Sequence, residues 1–237
     1  MIAAMPDVLT MPLPVVQGRV NSVWKPGLAG NHVIIGENGS GKTGLITRTI
    51  MPLCGYDRVL SIDVKGDDEM WDGYGVPIGR VTPGFHGQGD GPARSWYRLV
   101  VDMAADKAEA KRLVAEALDI ALDEGHMTLM VDETRAITDR EELNLGAKLE
   151  AVLLRGRSRR VSAILAAQAT EYMVPSIRNQ WAMAWLGSLK DDEVIKRTLK
   201  IVGLPMSYLP VIRDIPRRDW LYLDRESGKP MMALTTS

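Results

Sequence analysis

With one cysteine, one phenylalanine and three histidines in 237 residues, the chain lacks the material for several chemistries. The lone Cys54 excludes an intrachain disulfide, fits a reducing compartment and reads as a small buried hydrophobe. His86 lies in a Gly-rich run with no second His or Cys at ligand spacing, so no metal site is expected there. Aromatic residues make up 5% of the chain and are not interleaved with basic ones, which removes a base-stacking platform. Charge of one sign is also missing: 29 basic residues face 30 acidic ones, for a net charge of −1. Bulk charge therefore advertises no polyanionic partner, although a local basic patch is compatible with that total. No apolar run is long enough to span a membrane. The opening stretch 1–16 carries Asp7, Pro6, Pro12 and Pro14 and has no basic leader region. A soluble, cytoplasmic protein is expected. Internal repeats and low-complexity segments are absent as well.

What is present is ordinary globular composition, 46% hydrophobic and 25% charged, at a length suited to one α/β domain. The most informative stretch is Val33-Ile-Ile-Gly-Glu-Asn-Gly-Ser-Gly-Lys-Thr43. Val33, Ile34 and Ile35 form a short buried strand. Gly36, Glu37, Asn38, Gly39, Ser40, Gly41, Lys42 and Thr43 then match the phosphate-loop pattern G-x-x-x-x-G-K-[ST]. Glycines let successive N–H groups converge on one anion. The helix opening at Lys42 adds its positive dipole end. Lys42 reaches the β- and γ-phosphates, and Thr43 places its hydroxyl on Mg²⁺. The expected ligand is a nucleoside triphosphate with Mg²⁺.

A second anchor is Met127-Thr-Leu-Met-Val-Asp-Glu133. An apolar run ending in two carboxylates is a buried parallel strand that delivers acids to its C-terminal edge. Asp132 is then the residue of the Mg²⁺ shell, acting through a metal-bound water or Thr43, and Glu133 the general base for water. That pair separates a hydrolase from a small-molecule P-loop kinase. An ABC-type ATPase is unsupported, because the Leu-Ser-Gly-Gly-Gln signature does not occur.

The rest of the chain frames these two anchors. Residues 1–28 read as a punctuated lead-in, in which Leu13, Val15, Val16 and Val20 supply a short strand or hairpin; an ATPase domain follows over 29–237. Residues 44–50 are expected to be helical and 58–64 to be a strand, with Asp63 and Lys65 at the site's edge. The run from Gly84 to Pro92 reads as a loop, 96–101 as a strand and 104–124 as a helix stopped by Gly125. Thr138 with Glu141 fits a capping box opening a helix to about Leu154. Arg155, Arg157, Arg159 and Arg160 then crowd the six residues after that helix, ahead of the strand 161–167, which ends at Gln168. Such arginines serve a neighbour's nucleotide, contact a phosphodiester backbone or decorate a solvated loop. A strand over 181–186, a helix over 190–202 and two strands around residues 219–234 complete the pattern.

These pieces together resemble the motor domain of the FtsK/HerA superfamily of DNA-translocating ATPases, on its FtsK/SpoIIIE side. Residues 31–43 look like its first strand and Walker A, Ile62-Asp-Val-Lys65 like its Asp-x-Lys signature, and Met130-Val-Asp-Glu133 like its Walker B. Gly156-Arg157 through Ala163-Ile-Leu-Ala-Ala-Gln168 resembles the family's Gly-Arg to Ala-Thr-Gln stretch, with Ala167 where Thr is usual and no Arg-Pro after Gln168. The likeness spans about residues 28–203. It implies a RecA-like α/β core with a mainly parallel sheet flanked by helices and a C-terminal β-hairpin. It further implies a homo-oligomer, usually a hexameric ring, with ATP as the nucleotide between subunits and double-stranded DNA in the channel. By matched position Arg157 is the arginine finger acting in trans and Gln168 the γ-phosphate sensor, with Arg155, Arg159 and Arg160 as candidate DNA contacts. A stand-alone motor of this length suits plasmid transfer or viral genome packaging, the latter placing it in a host cytoplasm. The alternative is a secretion-type ATPase or nucleotide-gated assembly component acting on protein partners.

Overall fold

The computed structural model describes residues 8–24, 30–54, 58–66, 71, 73–85 and 96–235. Most of the Gly84–Pro92 run, His86 included, lies outside the described residues. Ten strands form one sheet: β1 (Leu9–Pro12), β2 (Asn31–Ile35), β3 (Arg58–Asp63), β4 (Val76–Ile78), β5 (Trp96–Val100), β6 (Met127–Val131), β7 (Val161–Ala167), β8 (Trp181–Leu186), β9 (Trp220–Asp224) and β10 (Met231–Leu234). The helices are α1 (Leu13–Val23), α2 (Lys42–Leu45), α3 (Lys107–Glu124), α4 (Thr134–Thr138), α5 (Gly146–Arg159), α6 (Ile177–Gln180), α7 (Asp192–Val202) and α8 (Leu209–Arg213). Among the described residues no helix is long and apolar enough to cross a membrane.

Strand order across the sheet is β1-β10-β9-β8-β2-β7-β6-β3-β5-β4. From β8 to β4 every neighbouring pair is parallel. Only β9 runs antiparallel, to β8 on one side and to β10 on the other, which forms the expected C-terminal hairpin. Every residue of β2, β6 and β7 is buried. That is why their sequences read as continuous apolar runs rather than alternating ones: helices cover both faces of a parallel sheet. Removing one such side chain, as in Ile34→Ala, costs about 2–5 kcal/mol.

Helix α7 shows the local logic of the covering layer. Ile195, Thr198, Leu199 and Val202 are buried at spacings of three and four residues. Asp191 caps it by accepting from the Glu193 and Val194 amides, and Gly203 closes it at a positive φ.

Three local expectations are corrected. Residues 13–23 form helix α1 rather than a strand or hairpin; Pro14 stands in its first turn, where a missing N–H is harmless. The stretch around Thr138 is no capping box: Thr138 ends α4, its hydroxyl donating to the Thr134 and Tyr172 carbonyls, and the next long helix opens at Gly146. The helix expected to end at about Leu154 runs on through the arginine cluster. Arg155, Arg157 and Arg159 occupy the last turns of α5, and Arg160 caps it in the left-handed region. Their exposed cations stand at the negative end of that helix's dipole, while Leu149, Val152, Leu153 and Gly156 face inward. Gly156 is the residue that lets α5 approach β7, since a Cβ there would lie 3.1 Å from the Val161 carbonyl oxygen.

His32 is fully buried in β2, with Trp24 edge-on at 4.3 Å between ring centroids and Trp185 Nε1 donating to its Nδ1 at 3.3 Å. Burial holds its pKa down at about 3 against an ordinary value of 6.5. The unfolded chain therefore takes up a proton in this window that the folded one refuses, and stability falls as pH falls from 6.5 towards 3. Denaturant midpoints should show wild type losing about 1.4 kcal/mol per pH unit below pH 6.5 relative to His32→Leu. Equal pH slopes in the two proteins would contradict it.

Candidate nucleotide site

The site forms at the C-terminal edge of the parallel strands. The loop from Gly36 to Gly41 joins β2 to α2 and is anchored at its start. The Gly36 amide donates to the Ala167 carbonyl at 3.2 Å, and the Glu37 amide to the Ser188 carbonyl at 3.2 Å. Glu37 also accepts from the Lys190 amide through Oε1 at 2.6 Å. Gly39 and Gly41 take φ of 73° and 96°, a backbone that side chains resist, and so the loop can curl. Lys42 Nζ donates to the Gly36 and Glu37 carbonyls at 2.8 and 3.0 Å, folded back over the loop it would share with a phosphate. Burial lowers the Lys42 pKa, opposed by the nearby charges of Asp132 and Glu133.

The strand order decides the rest of the geometry. The strand β7 lies between β2 and β6, so residues leaving its tip emerge between the phosphate loop and the acid pair. Thr43 Oγ1 donates to Asp132 Oδ2 at 2.8 Å across that gap. The second Asp132 oxygen, Oδ1, is buried without a partner among the described residues. Burial pushes the Asp132 carboxyl up, and the Thr43 hydrogen bond and the charges of Lys65 and Lys42 pull it back. A hydroxyl joined to a carboxylate that keeps one oxygen unsatisfied is a donor set suited to a hard cation such as Mg²⁺. Glu133 Oε2 is bracketed by Lys65 Nζ at 3.5 Å and by a long contact from Gln168 Nε2 at 3.4 Å. Lys65 is set in place by Asp63, whose Oδ1 accepts from the Lys65 and Gly66 amides and whose Oδ2 lies 3.6 Å from Arg98 Nη1.

The structure thus brings together Gly36 to Thr43, Asp132, Glu133 and Gln168, with Lys65 at the edge. It does not bring Arg157 there. Arg157 lines a separate cavity of about 340 Å³ with Asn31, Val161 and Trp181, the first residues of β2, β7 and β8. That is the opposite edge of the sheet, where the arginines of α5 also end.

A cavity of about 680 Å³ opens over the phosphate loop, lined by Lys42, Thr43, Asp132 and Glu133 and also by Arg48, Arg217 and Arg218. Sequence reasoning missed these three arginines. Arg217 lies 178 residues from the Gly39 carbonyl that its Nε contacts, and only a turn-like Pro216-Arg-Arg-Asp219 ahead of a strand marks the place.

No protein-family model and no curated protein matches the sequence. Solved structures do match. The DNA-packaging ATPase B204 of Sulfolobus turreted icosahedral virus superposes with a TM-score of 0.66 at 18% identity, over 90% of this chain and 100% of that one. The genome-packaging NTPase B204 of Sulfolobus turreted icosahedral virus 2, in complex with AMPPCP, gives 0.62 at 14% identity, over 88% and 99%. The bacterial conjugative coupling protein TrwB gives 0.65 at 11% identity, over 99% and 95%. The chain shares the fold of these ATPases, a mostly parallel RecA-like sheet flanked by helices.

Proposed function

We propose that the chain is a Mg²⁺-dependent ATPase that couples hydrolysis to movement along double-stranded DNA, in the manner of a genome-packaging or plasmid-transfer motor. The observation that carries the reading is the convergence of four elements at one sheet edge: phosphate loop, Asp132, Glu133 and the Gln168 tip of β7. Support for the DNA assignment comes from the resemblance and from the stated roles of the packaging and coupling proteins that share the fold.

Lys42 and the loop amides bind the phosphates, and Thr43 with Asp132 holds the cation. When bound, Mg²⁺ neutralises charge that develops on the transferred phosphoryl group. Glu133 takes a proton from water as the water oxygen bonds to the γ-phosphorus. The bond from that phosphorus to the β,γ-bridging oxygen breaks, giving ADP and inorganic phosphate. Gln168, within reach of Glu133, orients the water or contacts the γ-phosphate. Glu133→Gln should abolish turnover, by at least about 100-fold, while ATP still binds; persistent turnover would remove Glu133 from the role of base.

Arg157 stands at the sheet edge away from its own phosphate loop, which suits a finger offered to a neighbour in a ring of copies. Arg157→Ala should lower turnover about 1,000-fold. Mixing it with Lys42→Ala subunits should restore activity at interfaces where the latter supply Arg157. Unchanged activity in Arg157→Ala alone would reject the finger.

Movement itself is read by displacement of a third strand annealed to duplex DNA. ATP-dependent displacement is expected, lost in Glu133→Gln. Hydrolysis with no displacement would favour the second reading, a secretion-type ATPase or assembly component acting on proteins, to which the near-neutral net charge also points.

A further inference from the structure

The phosphate loop is covered from the far end of the chain. Pro216 to Asp219 form a tight turn between α8 and β9, closed by the Asp219 amide donating to the Pro216 carbonyl at 3.0 Å. Asp219 Oδ1 pins that turn to the end of β10, accepting from the Thr235 amide at 2.9 Å and the Thr235 hydroxyl at 3.0 Å. Between these anchors Arg218 takes a φ of 76°, a left-handed backbone that costs an ordinary residue free energy. The turn delivers both arginines to the loop that the proposed function uses. Arg217 Nε donates to the Gly39 carbonyl at 2.8 Å, and a Cβ on Gly39 would stand 2.7 Å from Arg217 Nη2. Arg218 packs its Cγ 3.4 Å from the corresponding point on Gly41.

Charge points the same way. The cavity over the loop carries Lys42, Arg48, Lys65, Arg217 and Arg218 against Asp132 and Glu133, an excess of three positive charges in a chain whose net charge is −1. Neither Arg217 nor Arg218 makes an ion pair among the described residues. Two adjacent arginines thus stand beside the phosphate loop, one fixed to it by a hydrogen bond to the Gly39 carbonyl and the other on a strained backbone with its stem packed on Gly41. A polyphosphate suits them, since guanidinium forks match phosphate oxygens in pairs.

The position along the cavity identifies which part of the ligand is met. Asp132 and Glu133 mark the end where the terminal phosphate reacts. Arg217 and Arg218 meet the loop at Gly39 and Gly41, ahead of Lys42, and the same cavity is also lined by Leu45, Arg48, Thr49, Leu13 and Trp220. We infer that the Arg217–Arg218 turn is a cis clamp over the phosphate chain and sugar of a bound nucleoside di- or triphosphate, distinct from the trans finger. The inference rests on the proposed nucleotide site. Because the clamp meets the part common to both nucleotides, it holds ATP and ADP alike and slows release of both.

The test is equilibrium binding and dissociation of fluorescent ATP and ADP analogues with the full chain. Arg217→Ala with Arg218→Ala should weaken both nucleotides at least tenfold and raise both dissociation rates. Arg218→Gly provides the control for folding: glycine accepts a φ of 76° without strain, so this variant should melt no lower than wild type and still bind several-fold more weakly. Wild-type binding with both variants within twofold of it would overturn the clamp and leave the nucleotide site standing. A wild-type chain that binds neither nucleotide would overturn the site and the clamp together.

Discussion

The hydrogen bond from Thr43 to Asp132, 2.8 Å long, joins two stretches of chain that are 89 residues apart. It forms only because β7 is inserted between β2 and β6 and the three strands are in register at their C-terminal ends. Shift β6 by one residue and its side chains change face, so Asp132 would leave the crevice. The buried apolar runs of the three strands therefore do more than stabilise the sheet. They fix the distance between a phosphate cradle and a pair of carboxylates, and they set Gln168 in the gap. Burial also sharpens the chemistry. It raises the Asp132 carboxyl and lowers the Lys42 ammonium, and the opposite charges across the site oppose both shifts.

Electrostatics resolves an apparent conflict between the whole chain and its site. The net charge is −1, yet cations gather in two places. One group lines the cavity above the phosphate loop. The other ends α5 at the opposite sheet edge, where Arg155, Arg157, Arg159 and Arg160 are exposed. Within the chain the α5 group complements the negative end of its helix dipole.

Much of this was legible in the sequence, for a physical reason. Strands buried on both faces must be continuously apolar, and helices that cover them must repeat at 3.6, so β2, β6, β7, β8, α3 and α7 all read correctly. The phosphate loop and the acid pair were legible because their chemistry is local. Errors arose where local signals compete. Leu13 to Val20 are rich in valine, which reads as strand, but Pro14 suits a helix start and Val16 and Val20 face the core a turn apart. The helix over 146–159 reads as ending near Leu154, before four crowded arginines, although the inward positions Leu149, Val152, Leu153 and Gly156 keep helical spacing. Arg217 and Arg218 were invisible, since their approach to the phosphate loop exists only after β9 and β10 join the sheet.

The central claim is that one sheet edge hydrolyses ATP in the service of a duplex. It is tested most directly by the steady-state ATPase rate of the wild-type chain with and without double-stranded DNA at low salt. The account predicts Mg²⁺-dependent turnover that rises several-fold on adding duplex. Turnover indifferent to duplex across a range of salt would contradict it.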